Sequence, residues 1–188
     1  MQCICHSVEN SHFNLILSEE LEISLTIEKI VNESQCVSIE LKPDESIEHA
    51  LETNEILSSF EQKMGIYHLW IDQEYCSDHF DHKMLCIYVG KGYVKNRVKD
   101  HLSKKFSEDK EIDETIYVSF FECENRIAKY LEQLFLDIYK LHLNEAENRG
   151  DRYLHTMWDE GRVTHGTELH AQAEALARKY LDVFNLPE

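Results

Sequence analysis

The chain has 188 residues, a formal net charge of −17 and 43% hydrophobic residues. That length sets one domain, or one with a small appendage, whose core is large enough to fold without disulfides. The apolar and aromatic content excludes a disordered chain, and no apolar run approaches the roughly 20 residues that span a bilayer.

The opening stretch MQCICHSVENSHFN has no basic segment followed by an apolar one, so no secretory leader is expected and the chain reads as cytoplasmic, with no membrane partner. Six cysteines, at 3, 5, 36, 76, 86 and 123, form no CxxC pair and are expected as reduced thiols. The CICH at 3–6 offers metal donors but lacks a second pair at zinc spacing.

LEISLTIEKIV (21–31) alternates Leu21, Ile23, Leu25 and Ile27 with polar residues, the period of a half-buried strand. CVSIEL (36–41) repeats the pattern, and Asn32 to Ser34 reads as the turn between them. Pro43-Asp44 then leads into a predicted helix at about 45–63. Residues 1–63 therefore read as an acidic N-terminal extension, a hairpin plus a helix. Strands are predicted at 65–72, 84–90 and 115–122, and helices at about 96–106 and 125–142. In the second of these helices Ile127, Leu131, Leu134, Phe135, Ile138 and Leu141 fall at three- and four-residue steps. A less patterned stretch follows, with its histidines read as surface, and then a C-terminal helix at about 167–184. The predicted organisation is a core at 64–148, flanked by the extension and by a helical tail at 149–188.

Charge is unevenly spread. Residues 1–64 carry 13 acidic and 3 basic side chains, whereas residues 91–110 carry 7 basic and 3 acidic. The global charge repels nucleic acid at long range, yet a local basic patch can hold phosphate within a Debye length. Gly90-x-Gly92 at a strand end can bring backbone close to a phosphate, although neither a P-loop nor a dinucleotide fingerprint is present. Asp78, His79, Asp81 and His82, in CSDHFDH (76–82), carry metal-capable side chains and read as a solvated loop.

In order along the chain stand Gly65-Ile66-Tyr67, Tyr88-Val89-Gly90, Arg97 with His101 one helical turn on, Glu132 on a helix, and Asn144. In this combination the chain resembles the GIY-YIG nuclease family over about 64–148. The stretch YVGKG…NRVKDHL is most similar to the branch that includes metazoan LEM-domain nucleases and their bacterial relatives. The longer gap between the two tyrosine motifs implies an insertion in the hairpin.

The resemblance implies an α/β (α+β) fold with a small three-stranded central antiparallel sheet flanked by helices. It also implies a metal-dependent endonuclease hydrolysing phosphodiester bonds in DNA, branched or single-stranded forms included. Tyr67 would be the general base, Tyr88 would orient water or phosphate, and Arg97 would hold phosphate oxygens with its planar fork. His101 would contact phosphate or relay a proton. Glu132 would hold one Mg²⁺ or Mn²⁺, and Asn144 would fix local backbone. Lys91, Lys95, Lys99, Lys104 and Lys105 are the candidate contacts to the nucleic-acid backbone. Two other readings stand beside this one: a degenerate module that binds nucleic acid without cutting, and a protein-interaction role for the acidic extension.

Overall fold

The segments predicted as strands at 36–41, 65–72, 84–90 and 115–122 do form strands, and a computed structural model joins them in one antiparallel sheet. The residues described are 11–21, 25–41, 46–105, 114–144 and 146–164. The predicted C-terminal helix at 167–184, Cys3, Cys5 and the side chain of Lys105 lie outside them.

Among the described residues the elements run α1 (Ser11–Leu21), α2 (Ile27–Val31), β1 (Gln35–Leu41), α3 (Ile47–Thr53), α4 (Glu55–Ser59), β2 (Met64–Cys76), β3 (Asp81–Tyr93), α5 (Val94–Lys105), β4 (Glu114–Glu122), α6 (Asn125–Ile138) and β5 (His155–Asp159). The class is α+β, as expected, but the sheet has five strands in the order β1-β4-β2-β3-β5 rather than three. The predicted central strands make up β4-β2-β3. The two added edges come from regions read as extension and tail: β1 pairs with β4, and β5 pairs with β3.

The expected N-terminal hairpin is absent among the described residues. Its first strand is replaced by α2, because Ile27, Ile30 and Val31 are buried at helical spacing and Thr26 caps the turn by accepting from the Lys29 amide. Asn14 on α1 reinforces this start, its Oδ1 accepting from the Ile27 amide at 2.8 Å. The predicted helix at 45–63 is two helices. Asn54 breaks it, capping α4 through the Leu57 amide (2.9 Å) while donating to the Ser38 carbonyl on β1 (3.0 Å).

The sheet separates two apolar layers. On one face α1, α2 and α6 bury Phe13, Leu17, Ile30, Leu131 and Phe135 against Ile66, Trp70 and Tyr117. On the other face α3, α4 and α5 bury Leu51, Leu57, Val94, Val98 and Leu102 against Tyr67, Leu69, Tyr88 and Phe120. β5 closes the first layer with Trp158, whose ring meets that of Trp70 at 5.3 Å. Arg162 follows β5 and lies over the Trp158 ring (4.5 Å to its centroid). Its guanidinium donates to the carbonyls of Val31 and Asn32, tying this end of the chain to the α2–β1 turn. The histidine-bearing stretch at 155–164 is thus partly a buried strand, with Thr156 and Trp158 inside, rather than surface.

The β2–β3 hairpin is long, and its outer half is exposed from Gln73 to Tyr75. The CSDHFDH segment forms its far end, where His82 Nδ1 lies 2.7 Å from Asp72 and Cys76 Sγ lies 3.4 Å from His79. Nine residues of extended chain, roughly 30 Å, separate Cys76 from Tyr67, so this end stands away from the tyrosines. Cys36, Cys76, Cys86 and Cys123 form no disulfide with one another. No helix among the described residues is long and apolar enough to cross a membrane.

Candidate active site

Tyr67 and Tyr88 come from adjacent strands. Tyr67 sits opposite Gly90 and Leu69 opposite Tyr88, so the two phenols are diagonal neighbours on one face, with ring centroids 5.9 Å apart. A bulge lies beside them. Trp70 pairs with Cys86, leaving Ile87 as an extra residue that enters the same apolar layer as Tyr88, its neighbour in sequence.

Gly90 keeps the space between the rings. A Cβ there would lie 2.5 Å from the Tyr67 hydroxyl and 2.7 Å from Cε1 of Tyr88. Gly92 adopts φ +125°, a left-handed conformation open to glycine, and turns the chain into α5.

α5 buries Val94, Val98 and Leu102 at four-residue steps, which leaves Arg97 and His101 together on an adjoining stripe. His101 Nε2 lies 2.9 Å from the Tyr88 hydroxyl, and the two rings meet at 4.7 Å. Arg97 is exposed and carries no ion pair among the described residues. Its positive charge reaches both phenols, and so does the negative charge of Glu132 on α6. The Glu132 carboxylate is half-buried and pairs with Lys91 of β3 at 3.0 Å.

Asn144 acts on the backbone that carries these groups. Its side chain accepts from the Val89 amide and donates to the Val89 carbonyl, both at 2.9 Å, between Tyr88 and Gly90. All six predicted catalytic positions therefore belong to one neighbourhood at the β3–α5 junction.

Burial, then the neighbouring Tyr88, pushes the Tyr67 hydroxyl well above the usual phenol range, and Arg97 opposes this. Burial also raises Tyr88. Both phenols therefore hold their protons at neutral pH. The Tyr67 hydroxyl is buried and interacts with the Tyr88 hydroxyl, short of full hydrogen-bond geometry.

A divalent cation here would rest on Glu132, which Lys91 already pairs. No group of three His, Cys, Asp or Glu among the described residues could cage a metal. A single carboxylate is compatible with Mg²⁺ or Mn²⁺, which retain water and take up phosphate oxygens.

The lysines are more engaged than their sequence positions suggest. Lys91 pairs with Glu132, Lys99 with Glu52 on α3 at 2.7 Å, and Lys95 approaches Glu61 at 4.0 Å. Lys104 is exposed, and Lys105 ends α5. Acidic residues of the N-terminal region thus meet the basic helix within the chain. The pairing between Lys91 and Glu132 escaped the sequence reading because nothing local links positions 41 residues apart.

Neither family models, nor curated proteins, nor solved structures yield a match to this chain. The chemistry of the site has to be read from its own residues.

Proposed function

We propose that this chain is a metal-dependent endonuclease of the GIY-YIG type, hydrolysing phosphodiester bonds in DNA. The observation that carries this reading is the meeting of Tyr67, Tyr88, Arg97 and Glu132 around a strand end kept open by Gly90. A lone strand tyrosine or a surface arginine means little. Two phenols, an uncommitted guanidinium and a half-buried carboxylate in one place supply the parts that phosphodiester hydrolysis requires.

In this reading Arg97 binds two phosphate oxygens and sets the phosphorus in place. The Tyr67 oxygen accepts a hydrogen bond from the attacking water, while its own hydroxyl faces Tyr88. As the new P–O bond forms and the bridging P–O bond breaks, the water proton passes to Tyr67. The Tyr67 hydroxyl proton then moves through Tyr88 to Nε2 of His101. Asn144 keeps Tyr88 and Gly90 in register through Val89. Glu132 is the residue that would hold a divalent cation, which would supply positive charge to the phosphate and the departing oxygen.

The test is cleavage of plasmid and oligonucleotide substrates (duplex, single-stranded, flap and four-way junction) with Mg²⁺, with Mn²⁺ or with EDTA. Wild-type protein should cut only with metal. Tyr67→Phe, Arg97→Ala and Glu132→Ala should each lose about 100-fold or more in rate with an unchanged circular-dichroism spectrum. One observation favours a second reading, binding without cleavage: Lys91 already neutralises Glu132. Tight DNA binding with no cutting under any metal would select that reading. Failure to bind or cut any substrate would remove both.

A further inference from the structure

Beyond the catalytic cleft, the segment after α6 returns along the outer edge of β3. The Leu143 amide donates to the Ile87 carbonyl, and the Leu154 carbonyl accepts from the Cys86 amide, both at 2.9 Å. These contacts bring together side chains that are 11 residues apart. His142 and Tyr153 stack with an interplanar angle of 11° and centroids 5.5 Å apart. Lys140 Nζ lies 5.7 Å from the Tyr153 centroid, and the His155 ring follows at 6.3 Å. Tyr153 remains 48% exposed. Lys140, Arg149 and Arg152 are exposed and carry no ion pair among the described residues.

This is an unusual surface for a chain with net charge −17. Most of its acidic excess lies elsewhere, and here Lys140 lies over a stacked Tyr153 while Arg149 and Arg152 are exposed on the same segment. An exposed ring pair buries little area, so stability alone gives weak reason to order it. Exposed π faces with cations on the same segment are the combination that binds unpaired bases and their phosphates. Its location fits as well: His142 is two residues from Asn144, whose side chain holds Val89 between Tyr88 and Gly90.

We infer that His142 and Tyr153, with Lys140, Arg149 and Arg152, form a stacking platform for unpaired nucleotides next to the scissile phosphate. The inference rests on the nuclease reading and narrows its substrate to nucleic acid with a single-stranded stretch at the cut. A blunt duplex keeps its bases stacked on one another and gains nothing from Tyr153. Glu147 and Asp151 lie on the same segment, so phosphate contacts are few and stacking is the main source of affinity.

The experiment is fluorescence anisotropy on the full chain in EDTA, which reads binding apart from cleavage. The probes are an end-labelled single strand, a blunt duplex and a splayed duplex. Tyr153→Ala should weaken binding of the single strand and the splayed duplex about 5- to 100-fold and change the blunt duplex by less than about twofold, while Tyr153→Trp retains affinity. Arg97→Ala should weaken all three. Wild-type affinity in Tyr153→Ala, or an equal loss on the blunt duplex, would overturn the platform while leaving the nuclease reading standing. Wild-type chain that binds none of the probes would overturn the nuclease reading and the platform with it.

Discussion

The Tyr88 hydroxyl lies 2.9 Å from Nε2 of His101, which couples a strand phenol to an imidazole on the helix that follows. Burial holds the proton on Tyr88 and, more strongly, on Tyr67. A proton leaving the attacking water therefore needs somewhere to go, and His101 is the group at the end of the line. Replacing His101 by alanine should slow single-turnover cleavage by about 100-fold or more while leaving DNA affinity nearly intact. Glutamine restores the hydrogen bond but cannot take up a proton, so it should remain slow. If His101→Ala loses affinity rather than rate, the imidazole is a phosphate contact and the relay is wrong.

Gly90→Ala tests how tightly the two rings are set. The added Cβ would sit 2.5 Å from the Tyr67 hydroxyl and 2.6 Å from its Cζ, and 2.7 Å from Cε1 of Tyr88. Both rings must shift, at a cost of about 1–3 kcal/mol in stability. Catalysis should suffer more, since a displacement of about 1 Å at reacting groups can cost roughly 100-fold in rate. Melting temperature and cleavage rate measured together separate the two effects. A variant that melts lower but cuts normally would show that the spacing of the phenols is unimportant.

Asn144 should behave as a clamp on the strand. Its two hydrogen bonds to Val89 hold the peptide between Tyr88 and Gly90. Asn144→Asp keeps the acceptor for the Val89 amide but sets a carboxylate against the Val89 carbonyl. It should cost about 1–3 kcal/mol and slow cleavage without changing affinity for DNA. Faster hydrogen exchange at the Val89 amide is the direct readout, and unchanged exchange there would count against the clamp.

The parts of this molecule that could be read in advance are those set by short-range pattern. Alternation marked β2, β3 and β4, and apolar steps of three and four marked α6, although it ends at Ile138 instead of running to 142. Tyr67, Tyr88, Arg97 and His101 were legible because two paired strands and the helix directly after them place these residues without any distant contact. The misread segments depend on context. Alternation at 21–27 ran into α2, where Thr26 capping and burial of Ile30 and Val31 decide the structure. β5 is five residues long in a polar stretch, and it exists because it can pair with β3 and insert Trp158 beside Trp70. The pairing of Lys91 with Glu132 and the stack of His142 on Tyr153 come from tertiary proximity and leave no local signature.

In the proposed site Lys91 would compete with a divalent cation for Glu132. Its ammonium lies 3.0 Å from the carboxylate, and both groups are only partly exposed. Lys91→Met removes the competitor while keeping the apolar stem. Binding of Mn²⁺, followed through the paramagnetic signal of the free ion, should tighten several-fold, because an opposing unit charge a few ångströms away is worth roughly 1 kcal/mol or more near a protein surface. Glu132→Gln should abolish the binding in either background. Weaker Mn²⁺ binding in Lys91→Met would mean that the lysine organises the site instead of blocking it.

His68 sits on β2 between Tyr67 and Leu69 but faces the opposite layer. It is fully buried, edge-on to Phe135 at 4.6 Å, and neither ring nitrogen has a hydrogen-bond partner among the described residues. Burial lowers its pKa from 6.5 to about 3. Above 6.5 the ring is neutral in folded and unfolded chains alike, so it adds no pH dependence there. Below 6.5 the unfolded chain binds a proton that the folded chain refuses until about 3, so stability falls as the pH drops. The loss attributable to this one residue grows by about 1.4 kcal/mol per pH unit across that window. His68→Phe keeps a ring against Phe135 and removes the titration. Between about pH 7.5 and about pH 4.5 its urea midpoint should fall less than that of the wild type, by a difference equivalent to roughly 3 kcal/mol. Parallel pH profiles would mean that the imidazole is charged inside the fold, and that the layer beneath the tyrosines is wetter than its apolar lining implies.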